Sequence, residues 1–172
     1  MATPTSTRAV APRRRPKAVE LAVVVLLLPL PCLAQALRPA HAADTTNPTD
    51  LAILRATGDG VSGRTIRNVC GTVVHPTISY LAPEVAVLVE EDTTGSCSGS
   101  NPPSTLTVLL KAGSAWRVST ATNGSGFRLG PVHAGLPEIV VQYPPFQQDC
   151  PVLDWNGRDY RFVRSCDGAK GR

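Results

Sequence analysis

The chain is poor in the residues from which most catalytic and metal sites are built. It has three histidines and five cysteines in 172 residues, and no two cysteines form a C-x-x-C pair. The usual spacing of a structural zinc site is therefore missing. Gly-x-Ser-x-Gly is absent too, and with it the strained elbow that presents the serine of many hydrolases. Aromatic residues make up only 5% of the chain, so the few present read as the core of one small domain. A basic surplus is lacking where it would matter. Residues 1–42 hold six of the 17 basic and one of the 13 acidic residues, which leaves 11 and 12 beyond them, a net of −1. The formal +4 of the whole chain is thus a property of its start. Without a basic patch, nucleic acid is excluded as a partner, and so is an anionic membrane surface.

That start carries the clearest signal in the sequence. Arg13, Arg14, Arg15 and Lys17 precede an apolar run from Leu21 to Leu37, and Ala40-His41-Ala42 follows as a small-x-small site. The order matches an export signal cut before Ala43. The rival is an uncleaved anchor, for which the run is barely long enough and is interrupted by Pro29 and Pro31. Both place the remaining chain outside the cytoplasm, secreted or periplasmic. Stable membrane insertion is not expected after cleavage. Pro31 before Cys32 does not suit lipoprotein processing, so Cys32 reads as an ordinary signal residue.

Four cysteines then remain, Cys70, Cys97, Cys150 and Cys166. An even number in an oxidising compartment reads as two disulfides, with three connectivities open. The expected organisation is a signal peptide over 1–42, a polar leader and short helix over 43–68, a β domain over 69–166 and a flexible tail over 167–172. Thr49 or Asp50 can cap a helix over Leu51–Ala56 that Gly58 and Gly60 would end. Beyond Cys70 the texture is β: Thr72–Leu81, Glu84–Glu90, Thr105–Lys111, Ala115–Thr120, Glu138–Tyr143, Val152–Trp155 and Arg158–Val163. Asp92–Ser104 and Thr122–Gly130 read as long loops. The predicted fold is all-β, an antiparallel sandwich or small curved sheet built from two related three-strand units.

Asn156-Gly157 predicts a two-residue type I′ hairpin, with Trp155 opposite Arg158, Leu153 opposite Tyr160 and Pro151 opposite Phe162. On the other face Asp154 would meet Asp159, a like-charge pair that Arg161 can screen. A calcium ion is the competing way to relieve it. In this register Cys150 faces Val163, which places Cys166 about 10 Å along the strand. That exceeds the reach of a disulfide. Cys97–Cys150 with Cys70–Cys166 is therefore preferred over Cys150–Cys166 with Cys70–Cys97.

Pro83-Glu84-Val85-Ala86-Val87 recurs as Pro137-Glu138-Ile139-Val140-Val141. A cysteine, an apolar strand, a Gly turn and an aromatic follow each copy in the same order, as in a stacked repeat. Gly135-Leu136-Pro137-Glu138-Ile139-Val140-Val141 resembles the Gly-x-Pro-[Asp/Glu]-aliphatic-x-Val strand of FG-GAP or VCBS-type extracellular β-propeller repeats. The resemblance implies an extracellular β scaffold or binding surface. The calcium loop of those repeats is missing before both copies, so no calcium is carried over. Two units also cannot close a propeller.

Candidate chemistry is sparse. His75 and His133 have no acidic neighbour in sequence and read as structural, so no catalytic residue, metal or cofactor is expected. Glu84 and Glu138, at matching positions of the repeat, read as turn residues, and Glu90-Glu91-Asp92 as a solvated strand end. The candidate partner patch is Tyr143, Pro144, Pro145 and Phe146 with Trp155, where prolines expose flanking rings. These residues point to a secreted or periplasmic non-enzymatic binding module, with a hydrolase inhibitor as one form it could take. Its partner would be an unidentified protein or cell-envelope component. The alternatives are a small extracytoplasmic hydrolase and a structural subunit of an envelope assembly.

Overall fold

Two runs, Val85-Ala86-Val87-Leu88-Val89 and Leu106-Thr107-Val108-Leu109-Leu110, do not alternate apolar with polar as a half-exposed strand would. The computed structural model, which describes residues 38–91, 104–142 and 150–166, shows both as central strands covered on two faces. In chain order the elements are β1 (Arg38–Ala42), α1 (Pro48–Thr57), β2 (Gly60–Ser62), β3 (Thr65–Arg67), β4 (Val73–Val74), β5 (Thr77–Ala82) and β6 (Val85–Glu91). There follow β7 (Ser104–Ala112), β8 (Ala115–Asn123), β9 (Gly126–His133), β10 (Leu136–Gln142), β11 (Pro151–Trp155) and β12 (Tyr160–Ser165). All pairing is antiparallel, in sheets ordered β1-β5-β6-β7-β8, β12-β11-β10-β9 and β2-β3-β4. The all-β sandwich with a short helix is the architecture observed.

Burial follows from this layering. On one face of the five-stranded sheet, Val85, Val87, Leu106, Val108 and Leu110 pack against Ile139, Val141, Leu153 and Tyr160 of the four-stranded sheet. On the other face, Ala86, Leu88 and Leu109 meet Ile53 and Leu54 of α1, Ile66 of β3 and Val74 of β4. Strands buried on both faces need nearly continuous apolar sequence, and these two have it, interrupted only by the buried Thr107.

The helix is one turn longer than expected and its cap differs. Asn47, not Thr49 or Asp50, is the N-cap, accepting from Thr49 N at 2.8 Å, and Pro48 fills the first helical position. Proline suits that position because its missing N–H would have had no partner there. Gly58, at φ +88°, ends the helix as expected. Asp50 is not part of a solvated leader: it is fully buried. Its carboxylate accepts from Asp44 N at 3.0 Å and from the Tyr80 hydroxyl at 3.1 Å, and lies 3.0 Å from His41 Nε2.

Two segments depart from the sequence reading here. Pro76 divides Thr72–Leu81 into β4 and β5, which join different sheets. Gly126–Gly130, within the expected Thr122–Gly130 loop, opens strand β9, so β9–β12 form a four-strand meander, as β5–β8 do. β9 carries no clear strand signal because it contains Gly130 and Pro131. Proline is tolerated there because β9 is an edge strand. Gly130 faces Glu138, and a Cβ on it would come within 3.0 Å of the Glu138 Cβ. Of the other expected loop, only Ser104 lies within the described residues.

The hairpin at Asn156-Gly157 forms with a longer turn. Asn156 N bonds Asp159 O at 3.2 Å, and the Asn156 side chain accepts from Arg158 N and Asp159 N. Residues 156–159 thus form the loop and Trp155 pairs with Tyr160, a register two residues beyond the two-residue turn. Asp154 faces Arg161 instead of Asp159, so the like-charge pair does not arise. A bulge between Val152 and Leu153 adds one further residue, pairing Pro151 with Ser165.

Those three residues overturn the preferred disulfide pattern. Cys150 and Cys166 come opposite each other with Cα atoms 5.3 Å apart and are bonded, which excludes Cys97–Cys150 with Cys70–Cys166. Cys70 is also disulfide-bonded; Cys97 lies outside the described residues.

Candidate functional site

The outer face of the four-stranded sheet gathers charges that are far apart in sequence. Glu138, on β10, is 1% exposed, and Gly130 on the neighbouring strand leaves the space it occupies. Arg164 on β12 reaches back across β11 and donates to both Glu138 oxygens at 2.8 Å. This bidentate pair holds the Glu138 carboxyl below its ordinary range, the Arg164 hydrogen bonds being the main cause. His133 Nδ1, at the end of β9, lies 3.1 Å from both Asp154 oxygens and 3.8 Å from Glu138 Oε1. The expectation that His133 has no acidic neighbour is therefore corrected. Glu138 is likewise a buried strand residue, whereas Glu84 sits exposed in the β5–β6 turn, so their matching sequence positions do not give matching surroundings.

His133, Glu138 and Asp154 offer ligand atoms within 4.8 Å of one another. Both Glu138 oxygens already carry the Arg164 guanidinium, so a cation would have to displace a bidentate pair. No local motif could have shown this group, because strand register alone brings its members together.

A second acidic site lies where α1 leaves the sheet. Asp59, after the helix, and Glu90, on β6, share a cleft of about 290 Å³ with Thr57, Asn68 and Asn123. Thr57 Oγ1 donates to Asp59 Oδ2 at 2.7 Å, while Glu90 Oε1 is buried and has no hydrogen-bond partner among the described residues. Burial, followed by the charge of Asp59, pushes Glu90 up to about 8, and burial also raises Asp59. Glu90 is thus not a solvated strand end: β6 is a central strand in which Glu90 is partly buried and Glu91 exposed. Asp92 lies outside the described residues.

Of the candidate partner patch, Tyr143, Pro144, Pro145 and Phe146 lie outside the described residues. Trp155 is partly buried, packed on the sandwich core and tilted against Tyr160 with ring centroids 5.5 Å apart. It also lines a cleft of about 490 Å³ at one end of the sandwich. Val85, Leu110, Leu136 and Trp155 form its apolar wall, and Lys111, Arg117 and Arg158 contribute to its lining with Glu84. Lys111 N bonds Glu84 O at 2.8 Å, tying the end of β7 to the β5–β6 turn. Arg117 is held by Asp159 at 2.7 Å and by Arg158 O at 3.3 Å. The Arg158 side chain is 87% exposed. His75 is exposed and lines a separate cleft with Glu91.

No helix among the described residues is long and apolar enough to cross a membrane. Comparison with protein-family models, with curated proteins and with solved structures finds no match.

Proposed function

We propose that the chain is an exported, non-enzymatic binding module, secreted or periplasmic, whose binding surface is the cleft lined by Trp155. The cleft carries the reading: an indole and three aliphatic side chains form the wall, beside Lys111 and Arg158. Such a combination suits an extended partner segment that places an apolar side chain on Trp155 and a carboxylate at the two cations. The N-terminal sequence and the Cys150–Cys166 disulfide support export, since disulfides persist in oxidising compartments. The test is capture from the native extracytoplasmic fraction with wild-type protein and with K111E/R158E. A partner held by the wild type and lost from the variant, with circular dichroism unchanged, is the expected result. Equal capture by both excludes the cleft.

The second reading, a small hydrolase, is favoured by His133 lying between Asp154 and Glu138. It predicts that His133→Ala abolishes an extracytoplasmic hydrolytic activity, whereas the binding reading predicts that the same variant keeps its partner.

A further inference from the structure

β1 makes the residues of the expected cleavage site part of the folded sheet. His41 pairs with Ile78 and Ala42 with Thr77 of β5, and Ala43 N bonds Pro76 O at 2.9 Å. The His41 ring lies over Tyr80, with centroids 6.0 Å apart and planes 13° from parallel, and its Nε2 is 3.0 Å from the fully buried Asp50 carboxylate. A cut before Ala43 would remove this strand, expose the edge of β5 and leave Asp50 without the imidazole beside it. Unpaired sheet edges and buried carboxylates that lose a partner are both costly.

The sequence contains a second small-x-small site, Ala34-Gln35-Ala36. Cutting there limits the apolar segment to Leu21–Leu33, 13 residues, whereas the site at residue 42 draws it out to Leu37, 17 residues. Apolar segments of export signals run about 7–15 residues before such a site. It also leaves Arg38 in the processed chain and not between the apolar segment and the cut.

Building on the export reading above, we propose that processing occurs between Ala36 and Leu37, and that β1 is retained as the edge strand of the mature sheet. A signal peptidase selective for small residues would hydrolyse this bond. Water adds across the amide, leaving a carboxylate on Ala36 and a new amino terminus on Leu37.

The test expresses the full chain, with its own N-terminal segment, in a secreting host and reads the exported product by intact mass and N-terminal sequencing. The expected product is Leu37–Arg172, 136 residues. Any other processed start, Ala43 included, overturns the assignment. Full-length chain held in the membrane fraction with its folded part outside the cytoplasm overturns the cleavage but not the export reading; full-length chain retained in the cytoplasm overturns the export reading itself. A36R should suppress the Leu37 start and A42R should leave it unchanged; the reverse pattern contradicts the proposal. His41→Ala should lower the thermal midpoint of the exported protein, an effect that cannot occur if residue 41 has been removed.

Discussion

Cys150 and Cys166 close the open end of the β11–β12 ladder, with Cys166 N bonded to Cys150 O at 2.9 Å and the Cα atoms 5.3 Å apart. A four-residue turn and one bulge put them there. Non-reducing peptide mapping should therefore yield a Cys150–Cys166 peptide. C150S/C166S should lose about 3 kcal/mol of stability, as expected for a closed loop of this size, measured by denaturant unfolding. A Cys150–Cys97 peptide would contradict the structure.

Two-residue hairpins form elsewhere in the chain, among them the one between β9 and β10. Ala134 and Gly135, both at positive φ (48° and 91°), link His133 to its partner Leu136. Alanine resists the left-handed region, whereas asparagine followed by glycine favours this turn. Ala134→Asn should raise stability by about 0.5–1 kcal/mol, read as a higher unfolding midpoint. No change, or a loss, would count against this turn geometry.

Local chemistry made much of the fold legible. The apolar strands, the Gly58 helix end and the sandwich class follow from composition, turn residues and β-branched runs. What was hidden depends on distant partners. β9 looked like loop because Gly130 and Pro131 are turn residues until Glu138 and an edge position explain them. β1 has no strand signal of its own because its alanines also suit a peptidase site. Hairpin register could not be read from Asn156-Gly157, since Asn156 caps a longer turn with its side chain. The Glu138–Arg164 pair and the acids beside His133 had no sequence signal, and neither did the cations around Trp155.

The Asp59–Glu90 pair should make stability fall with rising pH. Glu90 titrates near 8 in the folded state and near its ordinary carboxylate value when unfolded. Between those values the folded state holds a proton that the unfolded state has released, so stability declines from about pH 4.5 to about pH 8. Glu90→Gln removes this dependence. Its thermal midpoint should exceed that of the wild type by several degrees near pH 9 and match it near pH 4.5. Parallel pH profiles would show that the pair is not coupled to folding.

Glu138 has the opposite sign. Its folded-state value is lowered, with hydrogen bonds from Arg164 as the main cause. Its contribution is therefore present above the ordinary carboxylate value and lost as pH falls through the folded one. The wild type should lose more stability than Glu138→Gln on acidification from about pH 5 to about pH 3. Gly130→Ala, which forces a Cβ against Glu138, should cost about 1–3 kcal/mol at neutral pH. Denaturant titration checks both. Wild-type stability in the alanine variant would mean that Glu138 does not lie over Gly130.

The central claim is that the Trp155 cleft, not the His133 face, meets the partner. Hydrogen exchange of the exported protein, alone and with the partner captured by the wild type, tests it most directly. The account predicts new protection at Val85, Leu110–Ala112 and Arg158, with amides around His133 and Glu138 unchanged. Protection confined to His133–Glu138 and Arg164 would contradict it.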